Sequence, residues 1–348
     1  MAALTRTQAA HRRRDVRGAR AAPNGGLSAP RRTAAKARGG RAAATRLEPQ
    51  QLPRGTEVVT EPGPAREAQR RIISDFESAV LEGARTDLPP PVAPHTAEAR
   101  ERLDREGYVY VGRVLDDSTC DALWEHVSAP VEEAASGKGL LGGAKARVDV
   151  KLRMEGAAKQ AAREALGTYR LVDLLLAAAT EDAYLCEFGV LCSYPGANRQ
   201  PVHPDTVCTG RRGERPIFTT FVALQDVTVA MGPTRLLVGT NTVEAHRAAS
   251  DVTSEAYRAL LATPNVDATL AKGHALVFDS RTLHAGGANE AAPDGGRRRC
   301  LLYLSAQGPE EGCSRLPTSP ERRTPPNAYS IVPELHNKLR VREYAAFC

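Results

Sequence analysis

The spacing of apolar residues divides the chain into a helical part and a strand-rich part. Between residues 65 and 182, apolar positions recur at the spacing of one helix face, as at Ile72, Phe76 and Val80. From 183 to 310, short apolar runs separated by Pro/Gly turns indicate strands. The pattern therefore predicts a mainly β core with flanking helices, arranged as an antiparallel sandwich or barrel of jelly-roll type.

The same spacing predicts the individual elements. Helices are predicted over residues 65–85, 96–106 and 254–261, and from about Thr119 towards Pro130. Strands are predicted over residues 108–111, 184–194, 217–224, 234–238, 275–278 and 300–305. Because proline has no backbone N–H, Pro130 is expected to end or kink the helix that contains it.

The first 64 residues have no hydrophobic period and begin with a strong positive charge. Residues 1–46 contain twelve Arg or Lys and one acidic residue, Asp15, so they carry +11 and leave −5 for the rest of a chain whose formal charge is +6. A cationic, acid-poor start is typical of an organellar transit peptide, and it fits a disordered basic tail and linker equally well. The acidic remainder argues against nucleic acid as a partner.

Cysteine usage and hydropathy bear on the cellular compartment. The seven cysteines include no CxxC pair and follow no secretory apolar segment, so we expect reduced, mostly buried thiols in an intracellular protein. The location would be mitochondrial or plastid if the basic tail is a targeting peptide, and cytoplasmic otherwise. No apolar run approaches the length of a membrane span, and the sequence leaves the oligomeric state open.

The pair His203-x-Asp205 is the main candidate for chemistry. Residues two apart on an extended segment project to the same side, so this imidazole and this carboxylate can bind a single metal ion. The strand predicted over 275–278 ends shortly before His284, which would supply a third ligand. Two histidines and one carboxylate form the facial triad of non-haem Fe(II) oxygenases, with positions left open for a co-substrate and O₂.

An arginine is expected near such a metal, because a planar guanidinium can hold the far carboxylate of a 2-oxo acid through two hydrogen bonds. Three arginines, 297–299, precede the strand predicted over 300–305. Strand alternation assigns Arg299 to the face with the polar side chains and Arg298 to the face with Cys300. Polarity favours the first face and burial favours the second, so alternation leaves both arginines open.

These motifs resemble those of the phytanoyl-CoA dioxygenase family of Fe(II)- and 2-oxoglutarate-dependent oxygenases. The resemblance runs from Gly107-Tyr108-Val109-Tyr110-Val111 to Ile331-Val332-Pro333-Glu334-Leu335. Its most specific parts are Tyr194-Pro195-Gly196, Gln200-Pro201-Val202-His203-Pro204-Asp205, Met231-Gly232-Pro233-Thr234 and His284-Ala285-Gly286-Gly287-Ala288-Asn289. An ordered series of this kind is far more specific than His-x-Asp alone.

The resemblance implies both a fold and a set of ligands. The fold would be a double-stranded β-helix, or jelly roll, within an oxygenase domain over residues 65–348, of which 311–348 would be a C-terminal extension. Iron would be bound by His203, Asp205 and His284.

The co-substrate 2-oxoglutarate would be held by an arginine and by neighbouring polar side chains. The family spacing favours Arg298 as that arginine, with Arg299 next. It also implies Gln200 as a polar contact, with Tyr194 and Thr206 beside it.

The expected function is therefore hydroxylation, or a related oxidation, of a small or lipid-like organic substrate, with 2-oxoglutarate converted to succinate and CO₂. Related halogenases replace the carboxylate of the triad with a small residue, so Asp205 favours hydroxylation over halogenation. Two alternatives stay open. One is a metal-binding oxygenase fold that does not use 2-oxoglutarate, and the other is a catalytically silent binding module. The sequence does not identify the substrate.

Overall fold

The computed structural model describes residues 76–136, 147–210, 214–308 and 340–343. The predicted tail over 1–64 and almost all of the predicted extension over 311–348 lie outside the described residues. The helix predicted over 65–85 is described only from residue 76, and residues 76–83 are helical. None of the helices in the described ranges is long and apolar enough to cross a membrane.

Six further α-helices occur in the described part of the chain, in addition to the segment over 76–83. They are α1 (Ala97–Glu106), α2 (Asp117–Ser136), α3 (Gly156–Arg163), α4 (Leu171–Ala178), α5 (Val243–Ala249) and α6 (Glu255–Leu261). The side chains of Thr96, Thr242 and Ser254 each accept a hydrogen bond from a backbone amide three residues further on. These caps fix the starts of α1, α5 and α6, since the first amides of a helix have no partner within it.

The described residues also form ten strands in two sheets. The strands are β1 (Arg85–Thr86), β2 (Tyr108–Arg113), β3 (Arg147–Lys151), β4 (Tyr184–Ser193), β5 (Ile217–Ala223), β6 (Thr234–Leu237), β7 (Asn265–Asp267), β8 (His274–Asp279), β9 (His284–Gly286) and β10 (Arg299–Gln307). One sheet has the order β1-β7-β6-β9 and the other β2-β8-β5-β10-β4-β3. Only the β1–β7 pair is parallel among these described strands. The prediction of a mainly β, jelly-roll core with flanking helices is confirmed.

Side-chain alternation gives the six-stranded sheet two different faces. One face packs with the helices in a large apolar core, which includes Phe188, Val277 and Leu302 from strands and Leu103, Leu123 and Leu175 from helices. The other face joins the four-stranded sheet in a second core, which includes Phe221, Leu276 and Leu301 together with Leu236 and Val266. The space between the two sheets is therefore the interior of the jelly roll, and strand residues facing it are candidates for a binding site.

Helix α2 continues through Pro130 as far as Ser136, so an end of the helix at this proline is a wrong expectation. Val127 and Val131 flank the proline and are each only 1% exposed in the outer core. Their burial holds the second half of the helix in place although one backbone hydrogen bond is missing, because most helix stability in proteins comes from tertiary packing.

Strand β3 and helix α5 are elements that the apolar spacing does not predict. In β3 the apolar residues Val148 and Val150 alternate with three charged ones, so the segment has the composition of a loop. Its pairing with β4 supplies the missing stability, with Arg147 opposite Ser193 and Lys151 opposite Gly189. Neighbouring strands thus override local propensity at this edge of the sheet.

Cys192 and Cys300 form a disulfide, which corrects the expectation that the thiols are reduced. The two residues are direct partners in the antiparallel register of β4 and β10, and their Cα atoms are 4.2 Å apart. The pairing joins positions 108 residues apart in the chain and could not be inferred before the strand register was known. Cys120, Cys186 and Cys208 are free thiols, while Cys313 and Cys348 lie outside the described residues.

Gly189 in β4 gives the first testable prediction. A Cβ at this position would lie 2.5 Å from the Tyr303 hydroxyl and 2.7 Å from the Val150 carbonyl oxygen, which belongs to the paired strand β3. The backbone carbonyl cannot turn away, so Gly189→Ala should lower the free energy of unfolding by about 1–3 kcal/mol. Urea denaturation monitored by circular dichroism measures the change.

The matched control is Gly83→Ala in the helical segment over 76–83, where an added Cβ meets no heavy atom within 4 Å. This control should be neutral or slightly stabilising, since alanine is the better helix former. Equal midpoints for the two variants would contradict the predicted close approach at Gly189.

Candidate active site

His203 and His284 are brought together by an isolated antiparallel bridge outside the regular strands. Each backbone amide donates to the other residue's carbonyl oxygen, and both hydrogen bonds are 2.9 Å long. His284 begins β9, so the bridge fastens the Pro-rich loop before residue 206 to the four-stranded sheet. The rings are consequently close, with centroids 4.6 Å apart.

Asp205 completes a compact set of three possible metal ligands. Its amide donates to the Ser280 carbonyl oxygen at 2.8 Å, which fixes the loop two residues beyond His203. The Asp205 carboxylate oxygens are 3.9 Å from His203 Nε2 and 3.6 Å from His284 Nε2. One ligand atom from each residue lies within 4.8 Å of the others, so the predicted triad converges on one point.

Both histidines are held in the tautomer that a metal ligand requires. Nδ1 of His203 is 2.8 Å from the Pro201 carbonyl oxygen, and Nδ1 of His284 is 2.9 Å from the Thr282 carbonyl oxygen. Since a carbonyl oxygen only accepts, each Nδ1 carries the hydrogen and leaves the Nε2 lone pair free for a metal. Burial and the neighbouring His284 ring lower the pKa of His203, which further favours the neutral imidazole.

A cavity between the sheets connects this triad with several buried polar groups. It is lined by Asp149, Lys151, Glu187, Leu191, Gln200, His203, Asp205, Thr219, Phe221, Thr234, His284, Gly286, Arg299 and Tyr303. Of the residues predicted from the sequence, it brings together the triad, Gln200 and Arg299.

Two buried arginines flank Ser193 at this end of the sheet: Arg299 lines the cavity, and Arg147 lies beside Gly286, which also lines it. Arg299 is 1% exposed and Arg147 is 4% exposed, and no described carboxylate lies within ion-pair distance of either. Burial lowers the pKa of Arg147 to about 10, and burial together with Arg147 lowers the pKa of Arg299 to about 9. Both guanidinium groups therefore stay charged at neutral pH without a protein counter-ion.

The protein supplies hydrogen-bond acceptors for only some of the N–H groups of these two guanidinium groups. Arg299 donates to the Gly232 carbonyl oxygen, and Nη2 of Arg147 donates to the Gly287 carbonyl oxygen at 2.6 Å. Nε of Arg299, and both Nε and Nη1 of Arg147, are buried with no hydrogen-bond partner among the described residues. Buried donors of this kind are costly unless a partner binds them, so they mark a place for an anion.

Because Gly286 has no side chain, the side chains of Gln200 and Arg147 can lie close to its backbone, two residues after His284. A Cβ at Gly286 would lie 2.5 Å from Gln200 Oε1 and 2.8 Å from Arg147 Nη1. Oε1 of Gln200 instead accepts a 2.9 Å hydrogen bond from the Gly286 amide. The side-chain amide nitrogen of Gln200 is then the end that remains for a ligand.

Arg298, Tyr194 and Thr206 do not line the cavity, contrary to what the resemblance implied. Arg298 is on the outer face of the sheet, where it pairs with Glu132 at 2.5 Å and its guanidinium is 4.2 Å from the Trp124 ring centroid. Tyr194 packs against the outer apolar core. Thr206 is buried in a 2.6 Å hydrogen bond with Ser280. The preference for Arg298 over Arg299 thus conflicts with the geometry.

Asp279 and Arg281, in the turn before His284, pair with each other. Nε of Arg281 is 2.9 Å from Asp279 Oδ1, and Nη2 is 2.5 Å from Oδ2. This two-point contact fixes the turn that leads into β9.

Arg147 is the principal residue near the candidate site that the sequence did not reveal. The signal that could have found it is the alternation of charged and valine residues over 147–151, which puts Arg147 and Lys151 on one face of a strand. Glu187 was likewise hidden as a single acid within the long apolar strand β4.

The residues present fit both iron and a 2-oxo acid. Two imidazole Nε2 atoms and one carboxylate are the donor set of mononuclear Fe(II) sites that keep positions open. The unpaired N–H groups of Arg147 and Arg299 suit a carboxylate, whose oxygens accept charge-assisted hydrogen bonds.

The fold and the site together define the class of this protein. A two-histidine, one-carboxylate centre inside a double-stranded β-helix is the architecture of the non-haem iron oxygenases. Residues 103–299, more than half of the chain, match the family model described as phytanoyl-CoA dioxygenase (PhyH). The chain therefore belongs to the phytanoyl-CoA dioxygenase family.

Several solved structures are similar to this chain. One is SnoK, a non-heme alpha ketoglutarate dependent carbocyclase from nogalamycin biosynthesis. It shows 18% identity and a TM-score of 0.47, and the match covers 63% of this chain and 88% of that chain. Another is the epimerase SnoN in complex with Fe3+, alpha ketoglutarate and nogalamycin RO, with 18% identity, 66% and 91% coverage, and a TM-score of 0.45.

A third similar structure is EctD from S. alaskensis with bound Fe. It shows 19% identity, coverage of 71% of this chain and 93% of that chain, and a TM-score of 0.48. No curated protein matches the chain in sequence.

The triad predicts a measurable metal site. His284→Ala should lower the affinity for Co(II), used as an oxygen-stable substitute for Fe(II), by at least about 100-fold, because two ligands cannot hold the ion as three do. Isothermal titration calorimetry of the full chain measures the affinity.

The control is His126→Ala, which removes an exposed histidine on α2 and should leave Co(II) binding unchanged. Retention of Co(II) affinity within about tenfold in His284→Ala would contradict the triad, since a lost ligand costs more than that.

Proposed function

We propose that this protein is an Fe(II)- and 2-oxoglutarate-dependent oxygenase that hydroxylates, or otherwise oxidises, a small organic molecule and releases succinate and CO₂. The observation that carries the proposal is the pair of buried, partly unsatisfied arginines: Arg299 lines the cavity that contains the metal triad, and Arg147 lies behind its lining residue Gly286. A metal site alone would fit many enzymes. A metal site beside two uncompensated buried cations calls for a chelating dicarboxylate.

The co-substrate is bound through its two charged ends. Arg299 and Arg147 bind the carboxylate that lies away from the metal, and this contact supplies the counter-charge that both guanidinium groups lack. Gln200 donates from its side-chain amide to the same molecule, because its oxygen is already engaged by the Gly286 amide. The three residues together orient the 2-oxo acid towards the triad.

The iron is held by His203, Asp205 and His284, and when bound it supplies the reaction with O₂. The chain places this centre beside apolar side chains. The Phe278 ring lies against His284 with its centroid 5.2 Å away, and Leu191 and Phe221 line the cavity with apolar surface. Such walls exclude water from the oxidation and position the substrate C–H bond beside the metal.

Anaerobic titration of the full chain with Fe(II) and 2-oxoglutarate tests the proposal. Binding of the 2-oxo acid to the iron should produce its weak visible charge-transfer band. Arg299→Ala should raise the dissociation constant for 2-oxoglutarate by at least about 30-fold, because it removes a buried charge that pairs with the ligand. Arg299→Lys, which keeps the charge, serves as a second variant if the alanine variant does not fold.

The matched control is the neighbouring substitution Arg298→Ala, whose side chain contacts Glu132 and Trp124 outside the cavity. It should leave the dissociation constant within about twofold of the parent value, as expected for a surface ion pair. An equal loss in both variants would contradict the assignment of Arg299. Iron binding without the band would favour a metal-dependent enzyme that does not use 2-oxoglutarate.

A further inference from the structure

The cavity contains a second buried polar group whose hydrogen bonding is incomplete. Glu187 faces the interior from β4 and is 1% exposed. One of its carboxyl oxygens, Oε2, accepts from the Ser305 hydroxyl, whereas Oε1 has no partner among the described residues. A carboxyl group placed in a protein interior with one free oxygen is costly, so a structural role alone does not account for it.

The hydroxyl groups around Glu187 form a small polar cluster. Thr219 on β5 and Ser305 on β10 are 2.9 Å apart through their Oγ atoms, and both are buried. Strand register explains the cluster, because Ser305 is the direct partner of Glu187 on one side and of Thr219 on the other. Three adjacent strands thus contribute one polar residue each to the same spot.

A second polar group extends this part of the cavity along β3. The Tyr303 hydroxyl donates to Asp149 at 2.7 Å, and Lys151 lies 2.9 Å from the same carboxylate. These contacts supply hydrogen-bond partners for the side chains of Asp149, Lys151 and Tyr303. Glu187, by contrast, is an acid of the cavity whose Oε1 has no hydrogen-bond partner among the described residues. The cavity beyond the triad therefore has the polarity of a site for a hydrogen-bonding molecule rather than for a hydrocarbon chain.

We propose that Glu187 is a substrate-binding residue and that the substrate is a small polar molecule with a hydroxyl or amine group hydrogen-bonded to Oε1. Thr219 and Ser305 orient the Glu187 carboxyl group for this contact. The inference deepens the proposed function and rests on it, since it names the substrate class of the same cavity. It excludes long acyl chains as the part of the substrate that enters the cavity beyond the iron.

The environment of Glu187 suits either kind of polar group. Burial raises the pKa of Glu187 well above its usual range. A neutral carboxyl group can exchange hydrogen bonds with a hydroxyl. A substrate ammonium would instead stabilise the ionised carboxylate by direct pairing.

Three five-membered rings serve as probes of this subsite: cyclopentanol, pyrrolidine and cyclopentane. Each is titrated into the full chain loaded with Mn(II) and 2-oxoglutarate, and paramagnetic relaxation of the probe protons reports binding near the metal. Cyclopentanol and pyrrolidine should bind more tightly than cyclopentane. Glu187→Leu should weaken both polar rings by about five- to tenfold, the loss expected for one hydrogen bond in a dry site.

Glu187→Gln distinguishes a substrate hydroxyl from a substrate amine. It also serves as the second variant if Glu187→Leu does not fold. It keeps an acceptor oxygen but cannot carry charge, so a hydroxyl contact survives and an amine contact weakens. Glu132→Gln is the charge-matched control, because Glu132 is exposed on α2 and pairs with Arg298 outside the cavity. It should change none of the affinities.

The proposal is overturned if Glu187→Leu leaves both polar rings within about twofold of their parent affinity, which is less than one hydrogen bond is worth. It is also overturned if cyclopentane binds as tightly as the polar rings, or if neither polar ring binds. The charge-transfer band of the same variants with Fe(II) separates these outcomes from failure of the proposed function. A normal band without Glu187-dependent binding rejects the substrate class alone, whereas absence of the band rejects the oxygenase assignment.

Discussion

The register of β10 between β4 and β5 is the constraint on which the site depends. It sets Arg299 opposite Ser193, Tyr303 opposite Gly189 and Ser305 opposite Glu187, and Arg299, Tyr303 and Glu187 line the cavity. The intervening residues, Cys300, Leu302 and Leu304, face the outer core, where Cys300 meets Cys192 in the disulfide. A slip of one residue would exchange the two faces and would bring Arg298 and the leucines into the cavity. The outer core prevents this slip, because it would lose its apolar residues on the same strand.

The same register explains why the sequence could not decide which arginine lies at the candidate anion site. Alternation along β10 correctly separates Arg298 from Arg299, but it does not say which face is the interior. Burial of Cys300 pointed to Arg298, and in fact both faces are buried: Cys300 and Arg299 are each 1% exposed. In a sheet covered on both sides, burial does not distinguish the two faces, and the polarity shared by Arg299, Tyr303 and Ser305 is the better guide.

The metal triad was predictable because its spacing is local. His203 and Asp205 are two residues apart, and His284 follows a clearly apolar strand, so sequence alone predicts that three possible ligands meet in one place. Arg147 and Glu187 were not predictable in this way. Each becomes part of the site only through pairing with a strand distant in the chain, and a lone charged residue in a strand looks like surface until that pairing is known. The Cys192–Cys300 disulfide was not predictable for the same reason, since it depends on the register between β4 and β10.

The polar residues of the cavity also divide it chemically. Arg147 and Arg299 make one part cationic, with donors that only an anion satisfies, whereas Glu187, Thr219 and Ser305 form a neutral or acidic cluster. An ammonium in the first part would face two guanidinium groups. Like charges at such short range in a poorly hydrated cavity repel strongly. Under the proposed function, this division would give co-substrate and substrate different places, and Arg299, Glu187 and the triad all line the same cavity.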